Sequence, residues 1–265
     1  MKEKMKKERI YLARTYRHLK VNKTESILFL VVLVLPCFIL LLLNYGTISK
    51  WVTDLSAMVL HQIIPEAQIT SNRYTFIPGL QSIKAISLKS GLPSQEFILW
   101  NILVVIVLEV ISLTGGRKNK PWSIYMVIML FIHLINCIFF FFAGKWFPYS
   151  ATEYSELYMK QQIGIWICFM VIIGIVVGVL GAGYLGMRIA TFLSVMTYSF
   201  LFGLLRYIVF MYVVYKFSML YMAIFFFALG PFFDFLYLVA IYGIYMDLLA
   251  KRYGTGKGKE AWVWS

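Results

Sequence analysis

Two charged residues, Arg206 and Asp234, lie deep inside long apolar segments and are the side chains of this sequence best placed for chemistry. A single charge at the centre of a bilayer costs about 2.5–3.5 kcal/mol, so such residues are expected to pair or to face a water-filled cavity. In a helical hairpin that turns at Lys216, the two residues differ in depth by roughly 12 Å. We therefore expect helix tilt or a water to complete the pair, and the neighbouring Gly230-Pro231 predicts a bend.

This intramembrane charge pair has two interpretations. It fixes the hairpin as a structural ion pair, or it belongs to a transport path for a small molecule or a lipid-linked sugar. The second interpretation rests on the predicted helix break, because broken helices with charges at mid-membrane are typical of transporters. The six apolar segments show no detectable internal repeat, which counts against a transporter.

The sequence contains no complete catalytic or metal-binding set. It has no GxSxG, HExxH or Walker motif, and its three histidines fall in separate regions. We expect His133 to be hydrogen-bonded within the helix bundle. Cys37, Cys137 and Cys168 form no CxxC motif and are expected to be small buried apolar side chains. We therefore predict no catalytic residue, no metal site and no cofactor.

The elements that position these residues are six apolar segments, each long enough to cross a bilayer as a helix. They comprise residues 26–43, 97–113, 122–143, 163–180, 189–215 and 218–249. The chain is 61% hydrophobic and 14% charged, whereas soluble domains are about 25% charged. The sequence thus predicts an all-α, multi-pass membrane helix bundle with membrane lipids as its surroundings.

The formal net charge of +13 reflects membrane topology rather than nucleic-acid binding. Most lysines and arginines lie before residue 24, in 117–120 and after residue 250, and six spans place these clusters on one side. The positive-inside rule makes that side the cytoplasm, so both ends are predicted inside. Residues 1–25 form a basic cytoplasmic segment, 26–250 the transmembrane domain and 251–265 a cytoplasmic tail.

Two loops, 46–95 and 144–162, are expected to face the exterior. Apolar residues at helical spacing predict an amphipathic helix over 51–64 that lies in the outer membrane interface. Beyond it, residues 74–77 favour a β-strand, and Pro78-Gly79 predicts a turn, so a small irregular cap is expected.

The second outer loop is rich in aromatic residues, which are predicted to form an interfacial belt. These residues are Trp146, Tyr149, Tyr154 and Tyr158. Ser150 and Glu153 have the spacing of a capping box, so a helix is expected to start there and to run into the fourth span. Within that span, Gly174 and Gly178 form a GxxxG motif, which predicts close contact with another helix.

The order of features across residues 46–180 resembles the exosortase and archaeosortase family of membrane cysteine transpeptidases. Ser90-Gly91-Leu92 matches the family's short motif before a span, Asn136 matches its asparagine, and Gly164 matches the glycine that opens a later span. The positions of the family's cysteine, arginine and histidine hold Lys89, Phe139 and Lys160. The transpeptidation reaction of that family needs a thiolate, a base and a cation for the oxyanion, and this sequence lacks all three at the matching positions.

The resemblance implies a catalytically inactive relative in a bacterial plasma membrane. It further implies an accessory subunit that assists a membrane glycosyltransferase in making or exporting an envelope polysaccharide. Lys89 and Lys160, with Arg73 and Lys84, would then form a basic outer mouth for an anionic or sugar ligand, unless they are simply solvated loop residues. A transpeptidase-like enzyme with unassigned residues is the remaining alternative.

Overall fold

The computed structural model describes residues 17–19, 22–114, 120–179, 181, 183–254 and 262–264. Six helices within this part of the chain are long and apolar enough to cross a membrane, and the protein is a multi-pass membrane helix bundle. They are α1 (Lys23–Ile63), α2 (Gln95–Thr114), α3 (Lys120–Ala143), α4 (Ala151–Val179), α5 (Leu185–Phe217) and α6 (Gly230–Gly254). A 3₁₀ turn, Met219–Tyr221, and a π turn, Ile224–Leu229, precede α6, and another 3₁₀ turn, Gly144–Trp146, follows α3.

Four short strands form two antiparallel pairs. Strands β1 (Arg17–Leu19) and β4 (Trp262–Trp264) pair with each other, so the two terminal segments lie on the same side of the bundle. Strands β2 (Thr70–Thr75) and β3 (Ser82–Ser87) form a hairpin around the predicted turn at Pro78-Gly79. The cap predicted as irregular is a regular hairpin on the side opposite the termini. We call it the outer hairpin because the sequence predicts that side to be the exterior.

Helix α1 corrects the prediction of a separate helix over 51–64 in the membrane interface. It runs without a break for 41 residues, which at 1.5 Å per residue is about 60 Å and twice the thickness of the hydrocarbon core. Its buried face beyond the span consists of Val52, Thr53, Ser56 and Leu60, whereas Trp51 is 62% exposed. The outer half of α1 is therefore amphipathic because its buried face packs against the outer hairpin, and not because the helix lies in the membrane interface.

The outer hairpin is fastened to α1 by hydrogen bonds between side chains and backbone. The Tyr45 hydroxyl donates to the Gln81 carbonyl oxygen at 2.6 Å, and the Thr53 hydroxyl donates to the Lys84 carbonyl oxygen at 2.8 Å. Gly46 lets the two elements meet, because a Cβ there would lie 2.7 Å from the Ser82 carbonyl oxygen. These contacts make the hairpin and the outer half of α1 one unit.

Helix α4 begins where the capping box predicts and corrects the assignment of two aromatic residues. Ser150 and Glu153 each bond the other's backbone, so the helix starts at Ala151 instead of leaving 144–162 as a loop. Tyr154 and Tyr158 then lie on its buried face and are 0% and 1% exposed, so they do not belong to an interfacial belt. Trp146 is 82% exposed and Tyr149 is 45% exposed.

The GxxxG prediction is confirmed by the contact between α4 and α1. A Cβ on Gly174 would lie 2.8 Å from Val34, and a Cβ on Gly178 would lie 2.6 Å from the Phe29 ring. Both glycines lie in a π turn, Gly174–Val179, and it packs against the π turn of α1, Leu30–Val34. The absence of side chains at these positions allows the two widened turns to pack closely.

Three predictions about single side chains are wrong. His133 is buried but neither ring nitrogen has a hydrogen-bond partner among the described residues, and its ring instead stacks on Tyr221 at 4.9 Å. Cys137 is buried as expected, whereas Cys37 is half-buried and Cys168 is exposed. The two cysteines differ from the prediction because an apolar position in a membrane helix can face lipid as readily as protein.

Candidate functional site: a buried arginine network

Arg206 lies at the centre of a polar network that joins α4, α5 and α6. Its Nη1 donates to Asp234 Oδ2 at 2.7 Å and to the Gly230 carbonyl oxygen at 2.8 Å. Its Nε donates to the Tyr158 hydroxyl at 2.7 Å, and its Nη2 donates to Gln162 Oε1 at 2.6 Å. The arginine is 3% exposed and Asp234 is 4% exposed, so both charges are removed from solvent.

The ion pair forms by direct contact at 2.7 Å, so of the two expected ways to bridge the depth difference, helix tilt or a water, no water is needed. The chain between the two helices contains the 3₁₀ turn and the π turn defined above, instead of a simple hairpin of regular helices. Gly230 follows the π turn and is the first residue of α6, and its carbonyl oxygen accepts a hydrogen bond from Arg206. The predicted bend at Gly230-Pro231 thus takes the form of a wide turn that offers a backbone acceptor to the guanidinium.

Aromatic rings surround the buried charge and exclude lipid from it. The Arg206 guanidinium carbon lies 5.3 Å from the centre of the Tyr158 ring and 5.9 Å from those of Phe202 and Phe210. Such cation–π contacts favour the charged form of an arginine that has lost its water shell. The Tyr158 ring also stacks on Tyr207 at 5.1 Å.

Tyr207 extends this network to the outer hairpin. Its hydroxyl accepts the Ile86 N–H of β3 at 2.9 Å and shares a hydrogen bond of 2.5 Å with the Ser155 hydroxyl of α4. A continuous set of contacts therefore leads from Asp234 through Arg206, Tyr158 and Tyr207 to the hairpin. This arrangement couples the position of the hairpin to the packing of the transmembrane helices.

Part of the network has unused hydrogen-bonding capacity. Asp234 Oδ1 and Gln162 Nε2 are buried without a hydrogen-bond partner in the described part of the chain. The Tyr237 hydroxyl lies near the carboxylate but donates to Ser199 Oγ at 2.9 Å. A buried acceptor and a buried donor next to one ion pair are expected either to bind an ordered water or to lower the stability of the folded state.

Two of the residues that carry the exosortase resemblance donate hydrogen bonds to backbone carbonyl groups of other elements. Ser90 Oγ donates to the Val214 carbonyl oxygen at 2.6 Å, and Asn136 Nδ2 donates to the Leu220 carbonyl oxygen. Lys160 forms an ion pair at 2.6 Å with Glu156, one helical turn away. Gly91 has open space around it, and Lys89 is exposed.

The basic outer mouth is only partly present as predicted. Arg73 and Lys84 do line one concavity, but the third cation there is Lys50, from α1, rather than Lys89 or Lys160. Lys50 was missed because its position in the fold depends on α1 continuing past the membrane. The concavity belongs to the junction of α1 with the outer hairpin.

Sequence reasoning identified Arg206 and Asp234 but missed Tyr158, Gln162 and Tyr207 as their partners. One signal was available: after the capping box, Tyr154, Tyr158 and Gln162 recur every four residues, which puts them on one face of α4. No pattern in the sequence indicates that this face meets Arg206, because the contact joins residues 44 and 48 positions apart.

The chemistry available to this site is limited. Within residues 22–114, 120–179, 181 and 183–254, no group of three potential metal ligands is found. Arg206 is engaged through each of its three nitrogens, and its neighbours are hydroxyl, amide and carboxylate groups without a nucleophilic thiol. The arrangement suits a structural centre, because every nitrogen of the guanidinium group is already hydrogen-bonded within the protein. Comparison of the chain with protein-family models, with curated proteins and with solved structures finds no match.

Proposed function

We propose that this protein is a non-catalytic membrane subunit of a cell-envelope complex, in which it assists a membrane glycosyltransferase in exopolysaccharide synthesis or export. Its termini would lie in the cytoplasm of a bacterial cell and its outer hairpin on the exterior. The observation that carries the proposal is the Arg206 network, because it links a buried ion pair to the outer hairpin through Tyr158 and Tyr207.

Two further features favour the role of a non-catalytic subunit. The positions at which exosortases have their reactive cysteine, arginine and histidine hold Lys89, Phe139 and Lys160. The outer half of α1 presents Trp51, Leu55 and Met58 as an exposed apolar row on the side away from the hairpin. Apolar rows outside the bilayer core are typical of surfaces that contact another protein or the interface.

The test compares envelope polysaccharide in cells that lack the gene with cells complemented by the wild type or by Tyr207→Phe. We expect deletion to reduce the polymer and the wild-type protein to copurify with a glycosyltransferase in mild detergent. Tyr207→Phe releases the Ile86 N–H and is expected to weaken both results. Normal polymer levels after deletion, with no glycosyltransferase recovered from cross-linked membranes, would refute the proposal.

Transport of a small molecule or lipid-linked sugar is the second candidate. The unpaired Asp234 Oδ1 and the π turn ahead of Gly230 favour it, since broken helices with polar mid-membrane groups bind transported ligands. Flux of a labelled lipid-linked sugar into vesicles containing the pure protein would support it if Asp234→Asn abolished the flux. Equal flux with and without the protein would exclude this activity for that ligand.

A further inference from the structure

A concavity at the junction of α1 and the outer hairpin brings together three positive charges. It has a volume of about 340 Å³ and is lined by Lys50 of α1, Arg73 of β2 and Lys84 of β3, together with the polar side chains of Thr47 and Gln81. Lys50 comes from α1, whereas Arg73 and Lys84 come from the two strands of the outer hairpin. They meet only because α1 continues straight beyond the membrane and the hairpin docks on it.

Two of the three positive charges in this concavity have no ion-pair partner within the described residues. Lys84 Nζ forms an ion pair with Asp54 at 2.6 Å, whereas Lys50 and Arg73 have no ion pair within the described residues. Arg73 and Lys84 are also direct cross-strand partners in the hairpin. Like charges directly opposite each other destabilise a strand pair, and Asp54 offsets part of this cost through Lys84. A bound anion beside Arg73 would offset the rest.

The position of the concavity relative to the membrane matches that of phosphate groups. Lys50 lies seven residues beyond the apolar segment 26–43, or about 10 Å further along α1. The polar headgroup layer extends about 5–8 Å beyond the hydrocarbon core on each side. The backbone of Lys50 therefore lies just beyond the headgroup layer, at a distance that a long lysine or arginine side chain can span to reach a lipid phosphate.

We propose that this concavity binds a phosphate group, with Arg73 as the two-pronged donor and Lys50 and Lys84 as point charges beside it. Arginine presents two parallel N–H groups to a phosphate, and lysines add charge from variable directions. The phosphate belongs either to the headgroup of an anionic lipid or to a soluble phosphate-bearing molecule. The site needs no partner protein, so its failure would leave the proposed envelope role unaffected.

The test uses the full-length protein in nanodiscs of phosphatidylcholine, titrated with inorganic phosphate at constant ionic strength and followed by calorimetry. We expect Arg73→Gln and Lys50→Gln each to weaken binding by roughly tenfold or more, since each removes one charge-assisted hydrogen bond to the phosphate. Lys89→Gln is the matched control, because it removes the same charge from an exposed residue outside the concavity. It should bind phosphate as the wild type does.

A second arm distinguishes the two sources of phosphate. The thermal unfolding midpoint is measured in nanodiscs with and without phosphatidylglycerol. Stabilisation by this lipid in the wild type and Lys89→Gln, but not in Arg73→Gln, assigns the site to a lipid headgroup even if free phosphate does not bind. Binding of inorganic phosphate in phosphatidylcholine nanodiscs, without stabilisation by phosphatidylglycerol, assigns it to a soluble group.

The proposal is overturned if neither phosphate nor phosphatidylglycerol has an effect, or if the effect is the same in Arg73→Gln and Lys50→Gln as in the wild type. Both residues are exposed and unpaired within the described residues, so these variants are expected to fold. Circular dichroism and gel filtration check this before titration.

Discussion

A double-mutant cycle measures how much the ion pair between Arg206 and Asp234 contributes to the free energy of unfolding, apart from the other contacts of the two side chains. The cycle compares Arg206→Met, Asp234→Leu and the double variant with the wild type. Each single change leaves one buried charge without its partner, whereas the double change removes both charges together. The side chains are 2% and 5% exposed, so neither remaining charge can reach water without moving helices apart.

The expected magnitudes follow from the contacts. Breaking a buried ion pair by removing one partner costs about 3–5 kcal/mol. We place Arg206→Met at about 4 kcal/mol, because it also removes the bonds to Tyr158, Gln162 and Gly230. Asp234→Leu should cost about 3 kcal/mol. The double variant should lose only about 4–5 kcal/mol, since no unpaired charge remains, which gives a coupling energy of about 2–3 kcal/mol.

The assay is reversible unfolding of the purified protein in bicelles. The ion pair of Lys251 with Asp247 provides the control, because its N–O distance is also 2.7 Å but its side chains are 72% and 59% exposed. A cycle with Lys251→Gln and Asp247→Asn should give a coupling energy below about 0.5 kcal/mol, as for other exposed pairs in helices. Equal coupling in the two cycles would refute the conclusion that burial makes the Arg206 network the structural centre.

Three other predictions concern close contacts and an exposed ion pair. Gly46→Ala places a methyl group 2.7 Å from a backbone oxygen of the outer hairpin, should cost about 1–3 kcal/mol, and should speed proteolysis within the hairpin. Gly178→Ala meets the Phe29 ring at 2.6 Å and should lower the unfolding midpoint. Gly164→Ala is the control for both glycine variants, since nothing lies within 4 Å of its added carbon; a similar loss there would contradict the packing argument. Lys216 donates a hydrogen bond to Glu66 and lowers the pKa of that carboxyl group. Because the folded pKa is depressed, the stabilisation is present at neutral pH and is lost as pH falls through the folded pKa; Lys216→Gln should remove this acid dependence, and unchanged acid unfolding would argue against the contact.

Six apolar segments, a capping box and a GxxxG motif were sufficient to predict the helical membrane bundle, the start of α4 and the close approach at Gly178. These signals are local, since each depends on residues within one helix and on the bilayer as solvent. The pairing of Arg206 with Asp234 followed from the same principle, because an unpaired charge is costly in an apolar medium.

The course of α1 could not be predicted from composition alone. The same row of apolar residues is compatible with a helix lying in the membrane interface and with one that extends outward and carries a hairpin on its other face. The decision depends on Gly46, which permits contact with the outer hairpin at a distance that a side chain would prevent.

The sequence by itself determined the solvent of this protein, the number of its spans and the presence of two charges that require each other. Only the tertiary structure decided which other groups complete the site. Tyr158 and Gln162 of α4 accept hydrogen bonds from Arg206 of α5. Lys50 of α1 lines the same concavity as Arg73 of the outer hairpin. The physical reason is that helix periodicity fixes which residues share a face, whereas contacts between faces depend on packing and turn geometry between elements distant in sequence.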